Sequence, residues 1–261
     1  MLPAIWVTGA VLVGAAWGRI LNGFMDWLPS GGGPLYRLFL CPRCSRTLPL
    51  GHLIPIVGAW WHHRGCSALA AYPLRAPLVE VLTALAFALV TWHLGVTPQA
   101  IVALAYLSIL AIALVCDLEH TLIPNRLVYP ALPLALALAP LGPPGSSSPG
   151  TGAFLNALAG AGGAMVVLLF LYVVTRGRLG AGDVKLATLV GAMLGFPQAI
   201  TALGVAFVAG GMWALALLAL RRKRIGDVIP YGPFLAGGAA LALFQGHTIL
   251  DAYLALLGMS G

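Results

Sequence analysis

Long apolar runs separated by short polar breaks dominate the chain, and they set its architecture before any motif is read. Eight such segments stand out: about Ala4 to Phe24, then residues near 77–95, 99–116, 127–142, 153–175, 184–195, 197–220 and 232–257. A straight helix needs roughly 20 apolar residues to cross a hydrocarbon layer about 30 Å thick, and most of these runs approach or exceed that length. The alternating runs of about ten residues that mark a membrane barrel are absent. The pattern predicts an all-α polytopic membrane protein with about eight transmembrane helices. One polar stretch interrupts the rhythm. Residues 29–75 carry Gly31–Gly33, five arginines and three of the four cysteines. They form a loop insertion after the first span. The chain thus divides into a first transmembrane segment (1–28), a cysteine-containing loop (29–75) and a helical bundle (76–261), with an uncharged linker, GPPGSSSPGTG, over residues 142–152.

The basic residues orient these segments. Arg37, Arg43, Arg46, Arg64 and Arg75 follow segment one, and Arg126 follows segment three. Arg176, Arg178 and Lys185 follow segment five, and Arg221, Arg222, Lys223 and Arg224 follow segment seven. The connections near residues 96, 143–152 and 196 hold no Lys or Arg. Cytoplasmic loops concentrate Lys and Arg, so the odd-numbered loops, the insertion included, are cytoplasmic and the N-terminus lies outside. Arg19 falls within the first segment and is expected to snorkel to the inner face. No basic region precedes the first apolar run, so it does not read as a cleavable signal.

Composition narrows the picture further. Hydrophobic residues make up 60% of the 261 positions and charged residues 8%. Soluble domains carry roughly a quarter charged residues, so a soluble globular fold is excluded, and the apolar excess excludes disorder. The net charge of +7 follows from topology. The expected partner is the lipid bilayer, with Arg221–Arg224 touching anionic headgroups; no nucleic acid is expected.

The seven acids are Asp26, Glu80, Asp117, Glu119, Asp183, Asp227 and Asp251. Charge at membrane depth is costly, so acids that persist there are functional candidates. Asp117 closes the third segment, and Asp183 precedes the sixth in Gly180-Ala181-Gly182-Asp183-Val184-Lys185. The topology brings both to the cytoplasmic border on different helices. Carboxyl groups that meet there share a proton, because neighbouring charges resist full ionisation. One can then take a proton from water while the other donates to a carbonyl oxygen or leaving amine. Gly180 and Gly182 suit the close approach of an extended substrate strand. Taken singly, Asp117 also reads as a helix-end acid among headgroups and Asp183 as a helix N-cap. Lys185 is either a modulator of Asp183 or a headgroup contact. The rival function is a small ion- or proton-coupled transporter using Asp117 and Asp183. Such proteins favour midplane acids and inverted repeats, whereas both acids here fall at one border and no repeat is visible.

Six ordered stretches resemble the type IV prepilin peptidases, bifunctional leader peptidase/N-methyltransferases of type IV pilus and type II secretion systems with a GxGD aspartic protease motif. Gly18-Arg19-Ile20-Leu21-Asn22 with Leu28-Pro29 resembles GSFLN…RLP. Cys41-Pro42-Arg43-Cys44, Leu53-Ile54-Pro55 and Trp60-Trp61 resemble the cytoplasmic cysteine loop, and Pro77-Leu78-Val79-Glu80 resembles PLVE. Asp117-Leu118-Glu119 with Leu122-Ile123-Pro124-Asn125 resembles DxD…LPD. Gly180 to Leu186 resembles GxGDxKL, and Ile229-Pro230-Tyr231-Gly232-Pro233-Phe234 resembles IPFGPFLA. The resemblance implies a multi-pass protein of the bacterial inner membrane that cleaves prepilin or pseudopilin leaders at the cytoplasmic face after a terminal Gly. It implies Asp117 and Asp183 as catalytic, with Gly180, Gly182, Lys185 and Glu119 as substrate-binding candidates. It also implies methylation of the new N-terminus with S-adenosylmethionine, for which Glu80 and the loop of residues 30–75 are candidates.

Three features depart from that pattern. Glu119 stands where the family has its second Asp, and Asn125 where it has the LPD Asp. The loop has Cys41, Cys44 and only Cys66, where many members carry two CxxC pairs. Structural zinc takes four ligands. His62, His63 or His52 is the candidate fourth, and free thiols or a metal-free loop are the alternatives. Cys116 reads as a small core residue.

Overall fold

The computed structural model describes residues 4–31, 74–142, 150–176, 179–222 and 229–258. Cys41, Cys44, Cys66, His52, His62, His63 and Asp227 lie outside the described residues. Among the described residues eight α-helices stand where eight apolar segments were expected: α1 (Ala4–Trp27), α2 (Arg75–Leu94), α3 (Pro98–His120), α4 (Asn125–Leu138), α5 (Thr151–Val174), α6 (Ala181–Leu194), α7 (Gln198–Ala219) and α8 (Gly232–Leu256). A 3-10 turn at Ala139–Leu141 extends α4. Six of the helices are long and apolar enough to cross a membrane. The other two, α4 and α6, have 14 residues each, about 21 Å at 1.5 Å per residue, short of the hydrocarbon thickness. The chain is a multi-pass membrane protein. Exposed aliphatic and aromatic side chains, such as Leu155, Val166, Phe170 and Val173 along α5, suit lipid and would not suit water.

The chain forms two compact units, Met1–Leu104 and Ala105–Gly261. In the first, α1 and α2 run antiparallel. Gly14 abuts Ala84 and Phe87, Gly18 abuts Glu80 and Thr83, and the Asn22 side-chain amide donates to the Ala76 carbonyl at 3.1 Å. A Cβ on Gly18 would lie 2.7 Å from the Glu80 Cα, so only glycine admits this approach. Small residues at such seams let membrane helices pack backbone to backbone. The seam also gives Arg19 a partner: its Nη1 lies 3.5 Å from Glu80 Oε1, and Glu80 is fully buried. The close register puts the carboxylate beside the guanidinium, and pairing is how buried charge is accommodated. At the same end Arg75 Nη1 pairs with Asp26 Oδ1 at 2.8 Å.

In the second unit α6 is the hub. It touches α4, α5, α7 and α8, and Leu186, Ala187 and the run Leu189–Leu194 are all buried. A helix that is apolar all round belongs inside a bundle. Gly160 of α5 meets Gly191 of α6 so closely that a Cβ on either would strike the other's carbonyl oxygen. Tyr106 of α3 donates its buried hydroxyl to the Ala135 carbonyl of α4 at 3.2 Å. Gly160→Ala is expected to lower stability by about 1–3 kcal/mol through overpacking. Gly162, two residues on, faces open space, and Gly162→Ala should be neutral or slightly stabilising. Thermal unfolding of the two variants in detergent checks the contrast, and equal melting temperatures would contradict this packing.

Candidate active site

Helix α3 continues to His120, four residues past the end of its apolar run, so Asp117 occupies its last turn and its carbonyl accepts the Thr121 N–H at 2.9 Å. Helix α6 begins at Ala181, earlier than its apolar run. Asp183 is therefore its third residue, not its N-cap. Gly180 caps the helix instead. Its N–H donates to Asp183 Oδ2 at 3.1 Å, and the Asp183 N–H donates to the Gly180 carbonyl at 3.0 Å. This is the carboxylate half of a capping box, which satisfies donors at the helix start.

The third element is the start of α8. The Gly232 N–H donates to Asp117 Oδ2 at 2.9 Å. As the first residue of the helix, Gly232 carries one of the N–H groups without an intrahelical acceptor, at the positive end of the helix dipole. A Cβ at this position would lie 2.7 Å from Asp117 Oδ2 and 3.0 Å from its Cγ, so the carboxylate fills the space a side chain would take.

Asp117 is 5% exposed and Asp183 8%. Burial pushes the Asp183 carboxyl up to about 6, the Asp117 charge adds to the rise, and the Gly180 N–H opposes it. The two carboxylates thus feel one another across the ends of α3 and α6. Among the described residues each makes one hydrogen bond, through Oδ2, which leaves an oxygen on each for a further partner. Tyr231, just before α8, completes the cluster. Burial raises its phenol, and the Asp183 charge raises it further.

Other sequence candidates fall elsewhere. Lys185 does not reach Asp183, since positions two apart on a helix face different ways. Its Nζ donates to Asn125 Oδ1 at 2.8 Å and lies 5.4 Å from the centre of the Tyr129 ring, tying α6 to the start of α4. Glu119 lies two residues past Asp117, with an oxygen 4.0 Å from His120 Nε2. A Cβ on Gly182 would meet Ile123 at 3.3 Å, so this glycine packs α6 against the link between α3 and α4. Glu80 belongs to the α1–α2 pair. Among the described residues no group of three or more His, Cys, Asp or Glu is arranged to hold a metal. Gly232 and Tyr231 were not picked out by charge or titration. The signal that marks them is placement, as Pro230-Tyr231-Gly232-Pro233 opens a helix directly after a basic loop, at the same border as both acids.

Most of the chain is similar to proteins of one family. The model of the type IV leader peptidase family matches residues 104–215, and that of the bacterial peptidase A24 N-terminal domain matches residues 12–94. A prepilin leader peptidase/N-methyltransferase of Pseudomonas aeruginosa is 34% identical, the match covering 84% of this chain and 75% of the relative. Its namesake in Stutzerimonas stutzeri is 31% identical over 91% of this chain and 83% of the relative. That of Bacillus subtilis is 29% identical over 82% and 84%. No solved structure matches the chain. With both halves matched by the family's models and relatives this similar over most of their length, the chain belongs to the type IV leader peptidase family.

Proposed function

We propose that the protein is an aspartic endopeptidase that removes the leader of a prepilin or pseudopilin at the cytoplasmic face of the bacterial inner membrane. The observation that supports this most is the pair of buried carboxylates, each held through one oxygen by a backbone N–H, with the charge of Asp117 reaching Asp183. Asp183 carries the shared proton and Asp117 acts as base. Water attacks the scissile carbonyl carbon and loses a proton to Asp117 while Asp183 protonates the carbonyl oxygen. Proton transfer from the dyad to the nitrogen then breaks the C–N bond. The substrate is unwound at the cleavage site, because a helical peptide bond is shielded by its own turn. Basic loops after odd-numbered helices support a cytoplasmic site and an outside N-terminus. Purified protein in detergent, given a prepilin, should release a product whose new N-terminus follows the leader glycine. An intact substrate in that experiment would refute the reading.

The relatives' names support a second activity, methylation of the new N-terminus with S-adenosylmethionine. That donor is cationic at its sulfonium and its ammonium. The α1–α2 pair offers acceptors of the matching kind: the Glu80 carboxylate and the buried Asn22 Oδ1, which has no hydrogen-bond partner among the described residues. When bound, the donor supplies the methyl group that the substrate amine takes. Glu80→Gln is expected to weaken donor binding and methylation of precleaved substrate at least 10-fold while leader cleavage stays within twofold. Ligand-induced thermal stabilisation provides a readout besides turnover. Zinc on Cys41, Cys44 and Cys66, with His62 or His63 as fourth ligand, rests on spacing alone and is tested by metal analysis of the purified protein. A transporter reading draws no support from the site, since both acids sit at helix ends and not at the midplane.

A further inference from the structure

We propose that the Tyr231 hydroxyl is a positioning group that holds the attacking water against the aspartate pair. The inference rests on the dyad reading above. The hydroxyl is buried and has no hydrogen-bond partner among the described residues. Buried hydroxyls are normally satisfied, by protein or by ordered water, and an unpaired one is destabilising. Its ring is firmly placed. It stacks on Phe207 of α7 with centroids 5.7 Å apart and planes 30° apart. Its edge lies where a Cβ on Gly210 would come within 3.3 Å of Cε2. The next residue in the chain is Gly232, whose N–H fixes Asp117, so phenol and carboxylate are placed by one stretch of backbone.

The Asp183 charge reaches the phenol, yet the two groups form no direct hydrogen bond. Polar groups related in this way are commonly bridged by one water with two or more partners. The phenol oxygen accepts one O–H of that water and the dyad accepts the other, leaving an oxygen lone pair for the carbonyl carbon. When the new C–O bond forms, the water proton passes to the ionised carboxylate. The phenol keeps its own proton throughout, so its part is orientation. The stretch that Tyr231 lies in resembles a motif with Phe at this position. The hydroxyl therefore contributes a factor to the rate and is not an absolute requirement.

Tyr231→Phe in the full-length protein, assayed in detergent with a prepilin, should lower kcat about 10-fold and leave KM unchanged. The melting temperature should hold, since the ring that stacks on Phe207 is kept, and methylation of precleaved substrate should be unaffected. A wild-type kcat would overturn the proposal. So would a fall in kcat accompanied by lower melting temperature and lower methylation, which would mark a packing role. Asp117→Asn and Asp183→Asn are assayed alongside. If they cleave, the dyad reading itself fails; if they are inactive while Tyr231→Phe is normal, only the water-holding role fails.

Discussion

Asp183→Asn is expected to abolish leader cleavage, by roughly 10²–10⁴-fold in kcat, while leaving the protein at least as stable as before. The two halves of this expectation have separate causes. Activity falls because an amide neither carries the shared proton nor releases it. Stability holds because the Asn side-chain oxygen can still accept the Gly180 N–H that Asp183 Oδ2 accepts at 3.1 Å, so the start of α6 stays capped. Linkage gives the sign of the rest. The Asp183 carboxyl is raised in the folded protein from its ordinary 3.8 to about 6, first by burial and then by the Asp117 charge. Below 3.8 both folded and unfolded chains hold the proton. Between 3.8 and about 6 the unfolded chain releases it and the folded chain does not, so stability falls as pH rises. Above about 6 that loss is complete, and the Asn variant escapes it. Melting curves against pH should show the variant's advantage growing from acid to neutral and then levelling. The same carboxyl predicts the alkaline limb of kcat/KM, which should fall as pH rises through the region of 6 and the shared proton is lost. Asp117→Asn should be equally inactive. Full cleavage by either variant would remove the dyad.

Much of this arrangement was legible in the sequence, because apolar run length reports helices directly when lipid surrounds them. The eight helices among the described residues fall within a few residues of the eight runs. The ends that matter most were the least legible. Hydropathy stops at residue 116, but α3 runs on to His120 because no breaker intervenes before Thr121, whose φ of 49° turns the chain away. That extension is what places Asp117 within a helical turn. The start of α6 was obscured in the same way, since Gly180-Ala181-Gly182 looks like a loop until the Asp183 side chain caps it. Pairings across helices were not legible at all. The Arg19–Glu80 pair needs the antiparallel register that Gly14 and Gly18 permit. The Lys185–Asn125 bond needs α6 beside α4. Neither relation is written in residue spacing along one helix.

Gly232→Ala should be as damaging to cleavage as many substitutions of reacting groups, although alanine is the mildest change a glycine can undergo. The new Cβ would lie 2.7 Å from Asp117 Oδ2, 3.0 Å from Cγ and 3.1 Å from Cβ. Something must move, and the side chain of Asp117 moves more easily than the backbone of two packed helices. A rotation of Asp117 relieves the contact but stretches or breaks the 2.9 Å hydrogen bond from the Gly232 N–H. It also changes the separation of the two carboxylates. A displacement of about 1 Å in a reacting group costs about 10²-fold in rate, so kcat should fall by roughly that factor. The fold should survive, since Gly232 is not among the described glycines with positive φ and alanine favours a helix. Gly237 lies in the same helix and faces open space, and Gly237→Ala serves as the control, with expected wild-type cleavage and an unchanged or slightly higher melting temperature. The informative result is an inactive Gly232→Ala protein that melts like the wild type and still methylates precleaved substrate. Normal cleavage by that protein would mean that the contact between Gly232 and Asp117 plays no part in catalysis, because the one atom added stands where the carboxylate does.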